Sequence, residues 1–161
     1  MKRIIDSISD FKKFWKNYLL QSFFAGLTIF TALIIVGIDK RPIIIASIGA
    51  TAFKVFAMPN DITSQPRNIL GGHFIGLIAG SLCFFIPQTT HIYAIFVYAL
   101  AVAVSMFLMV VTDTEHPPAS GTALSFAVAG FSEEAFLTVL VSVTILSGIH
   151  KFFRPLLKDL T

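Results

Sequence analysis

The stretch NILGGHFIGLIAGSLCFFIPQTTHIYAIFVYALAVAVSMFLMVVT, Asn68 to Thr112, contains no Asp, Glu, Lys or Arg. A water-soluble fold of 161 residues could not dress its surface from such a run. The rest of the chain agrees: 55% of its residues are apolar and 13% are charged, against about 25% charged in an ordinary soluble domain. Seven of the 21 formal charges lie between Lys2 and Lys16, and four more between Lys151 and Asp159. A spanning helix takes about 20 apolar residues. The chain therefore reads as an all-α polytopic membrane protein. Its net charge of +3 is no nucleic-acid signal, because the cations flank apolar segments as they do beside a bilayer. The single cysteine, Cys83, excludes an internal disulfide and a cysteine metal cluster.

Working outward, residues 1–17 form a cationic amphipathic segment in which Ile4, Ile5, Ile8, Phe11, Phe14 and Trp15 recur at helical spacing. It is expected at the membrane–water interface, with Trp15 at the boundary. A single membrane domain follows over 18–153, with apolar segments at about 18–38, 43–58, 69–86, 92–112, 117–130 and 135–153. Residues 154–161 form a tail. The run 18–38 is too long for a signal-peptide core and lacks a cleavage pattern before Asp39, so it reads as a retained span. Segments one, three and four are long enough to cross. Segments two and five are about 24 and 21 Å long as helices, short of a core of about 30 Å.

The two short segments share a pattern. Pro42 opens one and Pro117-Pro118 the other, and proline suits the first helical turn. Each then carries a small-residue run, Ala46-Ser47-Ile48-Gly49-Ala50-Thr51-Ala52 and Ala119-Ser120-Gly121-Thr122-Ala123. Each sits in the middle of three segments, so the chain divides into two three-segment repeats near Thr89–His91. Paired short, proline- or glycine-interrupted segments point to a transporter site between repeats. Basic residues at both ends place both termini in the cytoplasm of a cell-membrane protein. That takes six crossings with inverted repeats, the preferred arrangement, or four crossings plus two re-entrant segments. Lys40-Arg41 then lies outside, against the charge rule.

The few polar residues fall in two clusters, Gln65-Pro66-Arg67-Asn68 running into Gly71-Gly72-His73, and Thr112-Asp113-Thr114-Glu115-His116-Pro117-Pro118. The strings QPRNILGGHFIGLIAG and TEHPPASGTAL resemble the signature of the HPP family of integral membrane proteins, named for its His-Pro-Pro tripeptide. The resemblance runs from about Thr31 to His150. Where many members read Pro-Pro-Ala-Gly-Ala-Thr, this chain has Ser120 and Gly121, which keeps each place small. Some members are linked to nitrite transport and most prokaryotic ones have no assigned activity. The resemblance thus implies the fold and, more loosely, a small anion.

An independent physical case leads the same way. A half-helix beginning inside the membrane points unpaired N–H groups and a partial positive charge at what lies before it. Pro117-Pro118 followed by Ser120, Gly121 and Thr122 would make a cup of donors, and Pro42 with Ser47, Gly49 and Thr51 its counterpart. Nitrite suits such a cup, as do nitrate, formate and bicarbonate. His116 stands at its mouth, able to donate to the anion or carry a proton with it, or else to cap the turn. Arg67 offers a fork to an oxyanion or a clamp on Asp113 or Glu115. His73 is a pathway residue or a hydrogen-bonded packing residue. Lys54 marks a pathway or a pair, or reaches to the interface. Asp113 and Glu115 relay protons or balance Arg67. Gly72, Gly76 and Gly80, with Gly71 beside them, make a stripe that lets another helix come close. Gln65, Pro66 and Asn68 complete the motif, and His91 reads as solvated.

No catalytic set, metal spacing or cofactor motif is present, so no enzyme is expected. The function read here is a transporter or channel-like carrier of a small anion, with proton coupling open. The alternative is a non-transporting sensor or partner-binding subunit that uses the basic N-terminal helix. Six short helices leave lipid-facing surface on which a homo-oligomer could form.

Overall fold

The structure, a computed structural model, describes the backbone of residues 2–36 and 42–161 and the side chains of 8–35 and 42–161. Lys40-Arg41, the side chains of Ile4 and Ile5 and the end of the first expected segment lie outside these. The described residues form six helices: α1 (Lys2–Val36), α2 (Pro42–Ala57), α3 (Pro66–Phe84), α4 (His91–Val111), α5 (Pro118–Ala129) and α6 (Glu133–Phe153). Short 3-10 turns lie at Ile62–Ser64 and Arg154–Leu156.

Local chemistry sets these ends. Pro66 opens α3 after an extended Gln65. Thr90 and Ser132 cap α4 and α6 through their hydroxyls, which accept from Tyr93 N and Ala135 N. Glu133 and Glu134 in the first turn of α6, and His150 and Lys151 in its last, complement the helix dipole. Gly130, at φ 74, ends α5 in the left-handed region, where a Cβ would also strike the Phe84 ring. α1 is broken at Phe14, whose backbone is not helical (φ −122, ψ 20), so the amphipathic start and the first apolar segment are two helical stretches joined end to end across a kink.

Three stretches are long and apolar enough to cross a membrane, Ile8–Ile35, His91–Val111 and Glu133–Leu156. α3 is not among them. Its first two turns hold Pro66-Arg67-Asn68 and His73, which dilute its apolar content. α2 and α5 are both proline-led, with 16 and 12 residues, or roughly 24 and 18 Å.

Successive helices run antiparallel. Arg67 meets Asp113 where α3 begins and α4 has just ended. Phe84 reaches Gly130 at the opposite end, and His150 of α6 returns to Pro59 beside the end of α2. α3 packs on α4, α5 and α6; α2 packs on α1, α5 and α6; α1 also packs on α6, and α4 on α5. The large side chains Phe23, Phe30, Phe85, Phe96, Phe107 and Phe152 face outward, while serines, threonines and histidines lie buried. That is the arrangement a lipid solvent selects.

The tightest seam joins α3 to α5. A Cβ on Gly72 would lie 2.7 Å from His116 Cβ, and one on Gly76 2.5 Å from the Ala119 carbonyl oxygen. One on Gly80 would collide with Ala123 O. The small-residue stripe expected to admit a helix admits α5. Backbone atoms cannot yield as a side chain does, so Gly76→Ala should sharply lower the thermal unfolding temperature in detergent. Gly49→Ala is the internal contrast. Nothing lies within 4 Å of that site, so helix propensity should leave the protein as stable or up to about 1 kcal/mol more so.

Candidate functional site

The polar interior is assembled from α2, α3 and α5 around one hydroxyl. Thr51 Oγ1 lies 2.9 Å from His73 Nε2 and 3.0 Å from His116 Nε2. The imidazole centroids are 5.2 Å apart. His73 Nδ1 meets Thr122 Oγ1 at 2.9 Å, Thr122 Oγ1 meets Ser47 Oγ at 3.0 Å, and Ser47 donates to the Pro118 carbonyl at 2.6 Å. At the other end His116 Nδ1 lies 2.6 Å from the Thr63 carbonyl. Thr51, Thr122 and His116 have no exposed surface, and His73 has 1%. A dry network linking both motif clusters thus stands on three helices.

The protons can be followed. A carbonyl only accepts, so His116 Nδ1 carries a proton and donates to Thr63 O. Ser47 uses its proton on Pro118 O, which makes Thr122 the donor to Ser47. His73 Nδ1 must then donate to Thr122. Both rings thus carry a proton on Nδ1 and present Nε2 to the Thr51 hydroxyl. That hydroxyl also donates to the Ser47 carbonyl at 3.1 Å, so its one proton has three acceptors around it. Its oxygen can in turn accept from an Nε2 that gains a proton.

Other expected site residues are placed differently. Arg67 is exposed and donates to Asp113 Oδ2 at 2.7 Å and to Thr112 O at 3.1 Å, so it clamps the α4–α5 turn instead of facing His116. Asp113 itself stands at φ 54. Glu115 gives its carbonyl to Asn68 Nδ2, and Gly71 packs on Thr114. Lys54 pairs with Asp61 at 2.6 Å. Gly49 meets nothing. Gly121 lies against Ser47, and Ser120 is partly buried. His91 is exposed, as expected.

The cup of amide donors needs correction. Ser47 lies by Pro118 and Thr122 whereas Thr51 lies by His116, so α2 and α5 run antiparallel and their N-termini point apart. Ala119 N and Ser120 N are taken by the His116 and Pro117 carbonyls, and the two prolines have no N–H. The donors at this place are hydroxyls and imidazoles. A cavity of about 280 Å³ between α3 and α6 touches His73, with otherwise apolar walls such as Leu70, Phe74 and Val139.

Sequence reasoning missed Thr63, Asp61 and His150. Asp61 caps the 3-10 turn by accepting from Thr63 N and Oγ1 at 2.8 and 2.9 Å, a pattern that an Asp two residues before a Thr does announce. His150 is buried against the Pro59 carbonyl, and no local pattern marked it. Among the described residues no three His, Cys, Asp or Glu side chains gather in a group able to hold a metal ion.

An apolar exterior over a polar, hydrogen-bonded interior defines a helical membrane protein. The chain belongs to the family described as HPP, transmembrane region, whose pattern matches residues 12–157. It is similar to two transmembrane proteins of Dictyostelium discoideum. One is 34% identical over 109 residues, 68% of this chain and 38% of the relative. The other is 32% identical over 90 residues, 55% and 29% respectively. The matched part is thus about a third of each relative's length. No solved structure matches.

Thr51→Val keeps the shape but strips both Nε2 atoms of their shared partner, and it should lower unfolding stability in detergent by about 1–3 kcal/mol. Thr51→Ser should restore it. At the loop, the Lys54 ammonium holds the Asp61 carboxyl below its ordinary pKa. A lowered folded-state pKa adds stability above the unfolded value and loses it as pH falls through the folded one. Asp61→Asn should therefore be less stable than the parent chain at neutral pH, with melting temperatures converging in acid.

Proposed function

We propose that the chain is a secondary transporter carrying a small anion together with a proton across the cell membrane. Nitrite is the first candidate, with nitrate, formate and bicarbonate in the same class. The observation that carries this reading is the Thr51 hydroxyl bridging two buried imidazoles, one from each motif cluster. A proton taken up at either Nε2 would find the Thr51 oxygen as its acceptor, yet a lone buried imidazolium is costly. Among the described residues near the motifs, Lys54 and Arg67 are engaged by Asp61 and Asp113, so an anion alone would find no free cation there. Proton and anion together are neutral and can hydrogen-bond to the hydroxyls of Ser47, Thr51 and Thr122. Electroneutrality thus couples the two. The reading involves no bond-changing catalysis, so the chain is not an enzyme.

Six crossings in two inverted repeats fit this reading. Exchanging α1, α2, α3 for α4, α5, α6 turns the principal packing pairs into one another: α1–α2 into α4–α5, α1–α6 into α3–α4, and α2–α6 into α3–α5. α2–α5 and α3–α6 map onto themselves. With antiparallel succession, each helix and its counterpart run in opposite senses. Lys54, Arg67, Lys151, Arg154 and Lys158 share one end of the bundle with the lysines of early α1, which is the cytoplasmic end by the charge rule.

The test is nitrite uptake by the full chain in proteoliposomes, with protein-free vesicles as the baseline for leak of the free acid. Uptake should exceed that baseline and accelerate when the outside is made acidic. His116→Gln and Thr51→Val should each slow it at least tenfold, with Thr51→Ser active. Uptake no faster than in empty vesicles, across all four anions, would overturn transport. Uptake indifferent to both variants would overturn the relay.

A further inference from the structure

A second feature lies apart from the relay, where α1, α6 and the C-terminal tail meet. A cavity of about 450 Å³ opens there, walled by Leu20, Phe24, Phe56, Ile149, Phe153 and Leu157. The volume falls within the range of about 300–1,000 Å³ typical of ligand sites. The fold holds this space open with polar bonds. Gln21 Nε2 donates to the Phe56 and Lys158 carbonyls, and its Oε1 accepts from Lys158 N at 3.1 Å. Tyr18 donates to Leu160 O at 3.0 Å, Leu160 N donates to Ala57 O at 2.9 Å, and Asp159 takes Asn60 N and Nδ2 at 3.1 and 2.8 Å. The tail is thereby strapped across the end of the bundle beside an apolar hollow that no described side chain fills.

Three cations stand on the segments that wall this hollow, each next to or one turn from a lining residue. Lys16 is exposed one turn before Leu20, on the same face of α1. Arg154 is exposed next to Phe153, and Lys158 follows Leu157, its ammonium 3.5 Å from the centre of the Phe14 ring. The ion pairs among the described residues, Lys54–Asp61 and Arg67–Asp113, involve none of the three. Exposed Trp15 stands at the same level, as aromatic residues do at the membrane–water boundary.

We propose that this hollow is a binding site for one anionic phospholipid, with an acyl chain lying between α1 and α6 and the headgroup phosphate held by Lys16, Arg154 and Lys158. Charge complementarity selects the occupant. An apolar slot open to lipid takes any acyl chain, and three cations with no carboxylate partner among the described residues at its headgroup end favour a negatively charged one. The site does not depend on what crosses the relay.

The test uses the full chain in a neutral detergent and follows its thermal unfolding temperature as phosphatidylglycerol or phosphatidylcholine is titrated in. Phosphatidylglycerol should raise the temperature at concentrations where phosphatidylcholine does not, as a ligand bound only to the folded state must. Each cation at a membrane surface is worth about a fivefold factor in binding. Lys16→Gln with Arg154→Gln should therefore weaken the titration by roughly twentyfold. Both positions are exposed, and an unchanged unfolding temperature without added lipid checks that the fold is intact. Equal shifts from the two lipids, or an unaltered titration in the double variant, would overturn the site. So would an equal shift from glycerol phosphate, which has the headgroup charge and no acyl chain.

Discussion

The close approach of α3 and α5 is the constraint on which the rest of the structure depends. Ordinary helix pairs sit about 8–10 Å apart, and three glycines spaced by four residues remove the side chains that enforce this distance. Gly72 accepts His116 and Met109 against its backbone, and Gly76 and Gly80 accept the Ala119 and Ala123 carbonyls. This contact brings the His73 ring, one residue beyond Gly72, within 2.9 Å of Thr122 and within 5.2 Å of the His116 ring. A wider seam would break those bonds and leave two imidazoles buried without partners. Packing and chemistry are thus fixed by the same absent methyl groups.

Charge is handled by a second device. A charged side chain in the hydrocarbon region is costly, and here Lys54 and Arg67 are paired with carboxylates at the ends of helices. Lys54, in the last turn of α2, faces Asp61. Arg67, in the first turn of α3, holds Asp113 and the Thr112 carbonyl. This second pair is largely exposed and is worth at most about 1 kcal/mol, so its use is to hold the turn that delivers His116. What remains inside is hydroxyl and imidazole, groups that reorient or exchange one proton without moving the backbone.

Much of this was legible in the residues. The uncharged run from Asn68 to Thr112 announced the helical membrane fold, and the glycine spacing announced a close helix seam. Pro42 and Pro117-Pro118 marked helix starts within a residue or so, whereas α3 begins at Pro66, three residues before the segment that hydropathy marked. Ser47, Thr51, His73, His116 and Thr122 were all named as candidates, and they converge. Their arrangement was not legible. Helix direction decides whether two N-termini face each other, and direction follows from the number of turns in between, which hydropathy does not fix when segments are short. Arg67 shows the same limit. Its charge demanded a partner, but two carboxylates and an anion site were equally near in sequence, and only the folded turn shows that it meets Asp113.

The tautomer of His116 is set by a loop that looks incidental. Ser64 Oγ donates to the Lys54 and Met58 carbonyls at 3.0 and 2.8 Å, Asp61 ties down Thr63, and the tail strap holds Ala57 and Asn60 from outside. The carbonyl of Thr63 is therefore a fixed acceptor. A fixed acceptor on Nδ1 dictates the tautomer of His116 and turns its Nε2 toward Thr51. Had that loop been slack, His116 could swap tautomers and donate from Nε2 to Thr51 as a neutral ring. Rigidity outside the network thus keeps a bare His116 Nε2 facing the same hydroxyl as His73 Nε2.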